Sequence, residues 1–403
     1  MKKFLSILIV SAVLSGSVFA NFFSNRIFEF VINAPIGLSN NTFAIFDYLK
    51  EDLVIDLNEM VKKMPENGFN ISFNVNPSIS ANLYLPVFDI CIKSGIEGSG
   101  TFGISKDLFE FICTGNELGE EIKVEGKVSS DIFAYTEAKV SFHVKDFDVT
   151  IVPTLFMPVA HVFSNGIGVT FQNTEGGDVI ADVNGALNVY ANANLDSLDA
   201  SQITANLLNS FGFDLGGAVS YRLFDLIDLT GYIRMPIVPG RFAYANQSTV
   251  SMHYVTNIKT LTSGEPSEEN QGFQFTSGEW NSTDYKINRP FKINASAAIQ
   301  PLGSLLNLKG LFGFAVKNPF SDVEGEALVY PEYYLGATVS LFDIIKTSIS
   351  SEYTDQIFKQ QLVFVANVRF IELDTGVSFQ SSNFESSFRA AGFGAFVTFI
   401  MGL

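Results

Sequence analysis

Between Gly68 and Pro86 the chain reads GFNISFNVNPSISANLYLP, and the stretch alternates without a slip. Phe69, Ile71, Phe73, Val75, Pro77, Ile79, Ala81, Leu83 and Leu85 occupy the odd positions. Asn70, Ser72, Asn74, Asn76, Ser78, Ser80, Asn82 and Tyr84 occupy the even ones. A period of two is the side-chain period of a β-strand. Seventeen residues from Phe69 to Leu85 would reach about 55 Å at ~3.3 Å each, whereas strands of soluble sandwiches average about five or six residues. One greasy face and one amide-and-hydroxyl face, kept for that length, leave two solutions: a very long sheet or a strand that crosses a bilayer and continues.

Composition separates these. Charged residues make up 17% of the 403-residue chain, against a soluble norm of about 25%, and mean hydropathy is +0.24. Such a value usually signals transmembrane helices, yet no run of about eighteen apolar residues follows the N-terminal segment. The nearest, Ile151 to Phe163, is broken by Pro153 and Pro158. A chain that is apolar on average but never in one run is what alternation produces, and it points to a barrel. The first twenty residues, MKKFLSILIVSAVLSGSVFA, have a basic start at Lys2 and Lys3, an apolar run and a Val18-Phe19-Ala20 cleavage pattern. They read as a secretory signal peptide, with no cysteine after the cut to carry a lipid anchor. A formal net charge of −17 argues against nucleic acid, whose phosphates need Lys and Arg.

Alternation recurs from Thr136 to Lys145 and from Ala181 to Leu195. Tight reversals are expected at Phe88-Asp89, Phe224-Asp225 and Phe342-Asp343, with looser ones at Lys145-Asp146, around Gly303 and around Glu372. Long polar connections, 105–130, 194–211, 318–331 and 263–285, fall at the opposite strand ends. Short turns on one rim and long loops on the other are the outer-membrane pattern. The expectation is therefore all-β: a transmembrane antiparallel up-and-down β-barrel of 14 strands, range 12–16, over residues 68–403. Residues 21–67 form an N-terminal segment before it. The chain ends GFGAFVTFIMGL, a strand running to the last residue. Two stretches have helical character. In 41–64, Leu57, Met60, Val61 and Met64 share a helical stripe; in 195–212, Asp199 is the N-cap and Gly212 the stop. Either helix would plug the lumen or lie over a barrel mouth.

The even-numbered set supplies lumen-lining candidates: Asn70, Ser72, Asn74 and Asn76, joined by Glu137, Lys139, His143 and Asn188 on the polar parity of other strands. Glu137 and Lys139, with Lys145, alternatively read as solvated charges beside the short-turn rim. His143, His161 and His253 stand far apart in sequence, so no metal site is expected and no cofactor. There is no G-x-S-x-G elbow, and no catalytic residue is assigned. GSGTFG at Gly98, Gly100 and Gly103 matches a dinucleotide-loop spacing, but no helix or βαβ unit follows it, so bends in a strand are the expectation. Cys91 and Cys113 are either a disulfide or two separate thiols. Forty Phe against thirteen Tyr and one Trp is an unusual balance for an interfacial girdle, and it suits lipid contact or a greasy passage.

The exported N-terminus, SKDLFEFICTGNELGEEIKVEG with Lys106, Phe109, Phe111, Gly115 and Asn116, AYTEAKVSF with Tyr135 and Glu137, and the Phe-Asp corners together resemble a family of bacterial outer-membrane barrels. That family has no characterised function and is similar in architecture to the long-chain fatty-acid channel superfamily. The resemblance implies a barrel whose N-terminal segment folds into the lumen as a hatch, and hydrophobic substrates that enter from outside and leave sideways or through the lumen. No individual substrate-binding residue matches. The expectation is passage of small hydrophobic, fatty-acid-like molecules, with outer-membrane lipid and the barrel-assembly machinery as partners. A general aqueous porin and a surface-exposed structural or adhesion barrel are the alternatives, followed by a soluble periplasmic sandwich.

Overall fold

The computed structural model describes residues 26–42, 61–62, 64–65, 68–107, 110, 121–194, 196–197, 199–224, 226–257, 271–321, 326–341, 344–368 and 370–403. Residues 1–20, expected to be a signal peptide, and Leu57, Met60, Cys113 and the Phe342-Asp343 corner lie outside these residues. Among the described residues nineteen strands form one sheet. In chain order they are β1 (Phe28–Asn40), β2 (Phe69–Val75), β3 (Ser78–Tyr84), β4 (Phe88–Ile104), β5 (Glu121–Val144), β6 (Phe147–Asn173) and β7 (Asp178–Ala191), then helix α1 (Ala200–Asn209). After it come β8 (Gly212–Leu223), β9 (Ile227–Val238), β10 (Gly240–Asn257), β11 (Gln271–Thr276), β12 (Asn281–Ile287) and β13 (Phe291–Ile299). The chain finishes with β14 (Leu306–Lys317), β15 (Leu328–Leu341), β16 (Ile345–Thr354), β17 (Ile357–Asn367), β18 (Ile371–Ser381), helix α2 (Phe384–Ser387) and β19 (Gly392–Gly402).

Antiparallel pairing runs from β1 through β2 and β3 to β4, β5, β6, β8, β9 and β13, then in chain order to β19. There β19 pairs back onto β1 along Glu29↔Gly402 to Ser39↔Gly392, so the sheet closes. A closed antiparallel barrel removes every edge in the ring. The barrel therefore begins at Phe28, well before the expected start at residue 68, and the N-terminal segment supplies a wall strand.

The expected count of 14 strands falls short of the nineteen in the sheet, and the difference has local causes. The stretch 69–85 is split at Asn76-Pro77, because Pro77 has no N–H to give the ladder. Strand β10 resumes one residue after β9, past Pro239, and changes partners from β8 and β13 to β7 and β12. Likewise β6 pairs with β8 over Phe147–Phe156 but with β7 over Ala160–Asn173, with α1 in the excursion between β7 and β8. Residues 288–290 interrupt β12 and β13 at the same level, and β11 adds to the outer side of β10. Side-chain and backbone bonds repair the break. Asn192 Nδ2 donates to the Pro158 carbonyl and its Oδ1 accepts from the Ala243 amide, while the Arg241 amide donates to the Ser210 carbonyl.

The described reversals fall on or close to the expected residues. Phe88-Asp89 opens β4 just after a turn closed by the Leu85 amide on the Phe88 carbonyl. Lys145 and Phe224 do sit in turns, both with left-handed φ of 56° and 52°. Gly303 starts a 3-10 turn, whereas Glu372 lies inside β18 and its reversal precedes Ile371. These connections and the paired ends of β1 and β19 share one rim. The other rim carries most of the longer connections, trimmed by long strands: β5 claims 121–130, β15 begins at Leu328, and β11 and the start of β12 fall within 263–285. Helix α1 forms as expected, with Asp199 capping the Ser201 and Gln202 amides, but stops at Asn209, leaving Gly212 to open β8.

Orientation of side chains is the reverse of a soluble protein. Ile32, Ile36, Leu335, Ile349, Leu362 and Val377 are exposed on the outer face, while Asp214, Glu332, Glu352, Glu372 and Asp374 have 0% exposure on the inner one. In β19 the parity expected from sequence holds, with Phe393, Val397 and Met401 outside and Phe396, Thr398 and Ile400 inside. An apolar belt around a charged interior is stable only where the surroundings are hydrocarbon rather than water. A soluble sandwich is excluded.

Candidate functional site: an interior cavity above paired charges

Towards the long-connection rim the interior opens into a cavity of about 680 Å3. Asn70, Asn74, Asn76, Thr101, Gln361 and Gln380 supply amides and hydroxyls; Phe133, Phe163, Tyr330 and Phe396 supply aromatic surface. Its charges are largely neutralised within the wall. Lys317 meets Asp131 at 2.6 Å, Lys359 meets Glu352 at 3.0 Å, and Asp355 lies 3.4 Å from Lys292. The lining continues to Pro35, Val75 and Ile36, and the Ile36 side chain stands 63% exposed on the outer face. Here β1 and the broken strand run side by side, and both Pro35 and Pro77 lack the N–H that a ladder bond requires.

Below the cavity the interior is filled. Glu97 of β4 takes Arg289 from the β12–β13 connection at 2.5 Å and Arg234 of β9 at 3.4 Å, and Arg289 reaches Asp214 of β8 at 2.9 Å. Beside them Lys292 meets Glu332 at 2.7 Å and Lys93 meets Glu137 at 3.7 Å. The Arg289 guanidinium lies 4.8 Å over the Tyr135 ring. An apolar knot of Phe133, Tyr135, Phe156, Phe242 and Ile287 packs next to this layer, at the level where β7–β8, β9–β10 and β12–β13 are interrupted.

A second cluster lies midway along the 27-residue β6, about 35 Å above its short-turn end for a strand tilted ~40°, and so beyond an apolar band about 25 Å tall. His161 Nδ1 bonds Asp131 Oδ1 at 2.6 Å, and its Nε2 stands 3.4 Å from both Glu326 and the Tyr285 hydroxyl. Tyr285 also donates to Glu326, which accepts from Asn318 and Ser321 at 2.8 and 2.6 Å. Burial alone would lower the His161 pKa, but the bonds to Asp131 and Glu326 outweigh it and raise the value. Burial likewise pushes Asp131 up, yet Lys317 and His161 bring it down to about 2. Glu326 is lowered too, its burial outweighed by His161, Ser321 and Tyr285.

Asn70, Asn74 and Asn76 stand in the cavity wall. Ser72 is buried and shares a 3.0 Å bond with Thr101 across β4. Glu137 and Lys139 lie lower, buried inside the barrel, which corrects the reading of them as solvated rim charges: the enclosing wall removes water and Lys93 compensates Glu137. His143 is held between Asp148 at 2.7 Å and Asp89 at 3.1 Å, near the short-turn rim. Asn188 sits on β7 opposite Gln247, outside the cavity wall. Of the plug candidates within the described residues, Val61 and Met64 are buried, and neither lines the cavity. Cys91 is a free, half-buried thiol. Sequence reasoning missed Glu97, Asp214, Arg234 and Arg289. Glu97, Asp214 and Arg234 each interrupt an otherwise polar or small inward parity, which was the available signal, whereas Arg289 lies in a connection where parity gives none.

No family model matches the chain, and no curated protein matches it. Solved structures do. The chain is similar to the Pseudomonas putida toluene transporter TodX, at 8% identity and TM-score 0.49 over 96% of this chain and 91% of that one. It is similar to the Ralstonia pickettii toluene transporter TbuX, at 6% and 0.48 over 94% and 90%. A Pseudomonas aeruginosa FadL homologue gives 10% and 0.43 over 93% and 89%. The barrel itself stands on the strand pairings of this chain.

Proposed function

We propose that this protein is an outer-membrane channel that admits small, largely apolar molecules to the interior cavity and releases them sideways, between β1 and the β2/β3 strand. The observation that carries the reading is one cavity whose lining runs from the amide-bearing interior to Pro35 and Ile36 of β1, the latter a residue with its side chain on the outer face. An apolar solute gains about 0.8 kcal/mol for each CH2 group it removes from water, so the cavity's aromatic surface and then the bilayer draw it along that path. The amides and hydroxyls orient a polar end when the solute has one. The paired charges below oppose a route straight through. The small hydrophobic substrates named for the toluene transporters are in keeping with this path.

The test is uptake of a radiolabelled alkylbenzene into vesicles holding the purified barrel. Entry at least several-fold faster than into empty vesicles supports the reading; equal rates reject it. A surface-adhesion role draws support from the outer parts of β5, β6, β7 and β10, which extend beyond β8 and β9. It is set aside if a variant lacking β11 still attaches to host-cell surfaces as the intact chain does.

A further inference from the structure

We propose that Glu97, Arg234, Arg289 and Asp214 form an electrostatic seal across the barrel, which denies passage to ions and hydrated solutes and so sets the selectivity of the channel. The inference deepens the channel reading and rests on it for its biological meaning, but its test is separate. Glu97 projects from β4, while Arg234 and Asp214 belong to β9 and β8, from which β4 is separated in the wall by β5 and β6. The contacts therefore cross the lumen rather than run along the wall.

The piece that completes the crossing is the connection 288–290. Its Arg289 donates through Nε and Nη2 to Glu97 and through Nη1 to Asp214. The Pro290 carbonyl accepts from Arg234 Nε at 3.0 Å, so the arginine on the wall holds the connection by its backbone as well. Two cations and two anions cancel, and Arg234, Arg289 and Asp214 are all buried. Glu97 alone among the four lines the cavity, together with Asn288 and Pro290 of the same connection. An ion descending from the cavity would meet this group first and would have to part opposite charges held out of water. Among the described residues Asp214 Oδ1 has no hydrogen-bond partner, so the layer retains an acceptor for water once it loosens.

Removing one partner leaves an uncompensated charge that must hydrate, and its sign then decides which ions enter. Glu97→Gln leaves Arg234 and Arg289 facing one carboxylate, a net positive constriction. Arg289→Gln leaves Glu97 and Asp214 facing one guanidinium, a net negative one. The experiment is single-channel recording of the full-length barrel in planar bilayers under a KCl gradient, with heat-modifiable gel mobility to show that each variant is folded. Wild type is expected to pass at least tenfold less current than either variant. The reversal potential should move to the anion side for E97Q and to the cation side for R289Q. The double exchange Glu97→Arg with Arg289→Glu should return the current towards the wild-type level.

A wild type that already conducts like E97Q overturns the proposal. So does a shift of both variants in the same direction, which is what a generally loosened barrel would give. If E97Q does not fold, R289Q read against wild type decides alone. Failure of alkylbenzene uptake with these conductance results intact would remove the channel reading and leave the seal standing.

Discussion

Replacing Phe156 by Ala tests whether the interior really is packed where the strands change partners. Phe156 is fully buried, meets the Phe133 ring edge-on at 5.8 Å, and shares its cluster with Phe242 and Ile287. Two glycines make room for it: a Cβ on Gly212 would lie 2.2 Å from Phe156 Cζ, and one on Gly240 would lie 2.9 Å from Cε2. Burying a Phe removes about 150–200 Å2 from water, worth about 4–5 kcal/mol at ~25 cal/mol per Å2, and the edge-to-face pair adds about 1 kcal/mol. Partial collapse of the hole recovers some of this, so Phe156→Ala should cost about 3–5 kcal/mol, and Phe156→Leu about 1–2 kcal/mol. The assay is urea unfolding of the barrel in lipid vesicles, followed by the fluorescence of Trp280, the single tryptophan of the chain. The midpoint should fall with the denaturant slope unchanged. A loss under about 1 kcal/mol for Phe156→Ala would refute the packing argument, because a ring in a hydrated lumen has little to lose.

Stability near the outer cluster should depend on pH through His161 and its carboxylates. The raised His161 value contributes stability that is complete below the ordinary histidine pKa of about 6.5 and lost as pH rises through the folded value. The lowered Glu326 and Asp131 values contribute stability present above the ordinary carboxylate range and lost as pH falls through their folded values. The Tm gap between wild type and His161→Gln is therefore expected to be widest near about pH 6 and to shrink by about pH 9; a gap that grows with alkali contradicts the assignment. Joining the side exit by Ile36→Cys with Val75→Cys, register partners on β1 and β2, should abolish alkylbenzene uptake when oxidised and restore it on reduction, in a background without Cys91 and Cys113. Unchanged uptake in the oxidised form would place the exit elsewhere. Asp355 and Gln356 make the two-residue link from β16 to β17 with φ of 49° and 64°. Gln356→Gly should raise stability by up to about 1 kcal/mol in the same urea assay, since glycine accepts that backbone without strain.

Much of the wall could be read from alternation alone. Parity is a local property, and Phe69 to Leu85 or Phe393 to Met401 keep it through turns and breaks alike. The short-turn rim was legible to within about three residues, because Phe-Asp and Lys-Asp mark a reversal without saying on which side of the pair it closes. Less could be seen where the strands divide. Pro239 is a visible breaker, but nothing in its neighbourhood says that β10 takes new partners beyond it. The interior charges were the least legible. Glu137 and Lys139 have the composition of a solvated face, and only closure of the ring turns that face inward. Which acid then meets which base, as Glu97 meets Arg289, depends on distances across a space that no periodicity in sequence encodes.

The pairing of β1 with β19 has a consequence for how the molecule can come into being. The Ile27 amide donates to the Leu403 carbonyl at 2.6 Å, and the Leu403 amide to the Phe28 carbonyl at 3.0 Å, so the seam is zipped by the residues of β19 and Leu403. Until they arrive, β1 and β18 each present a row of unsatisfied amides and carbonyls, which hydrocarbon cannot tolerate. Closure must therefore bring the two strands most distant in the sheet's chain order together, and loss of the 11-residue β19 would yield a curled ribbon rather than a smaller tube.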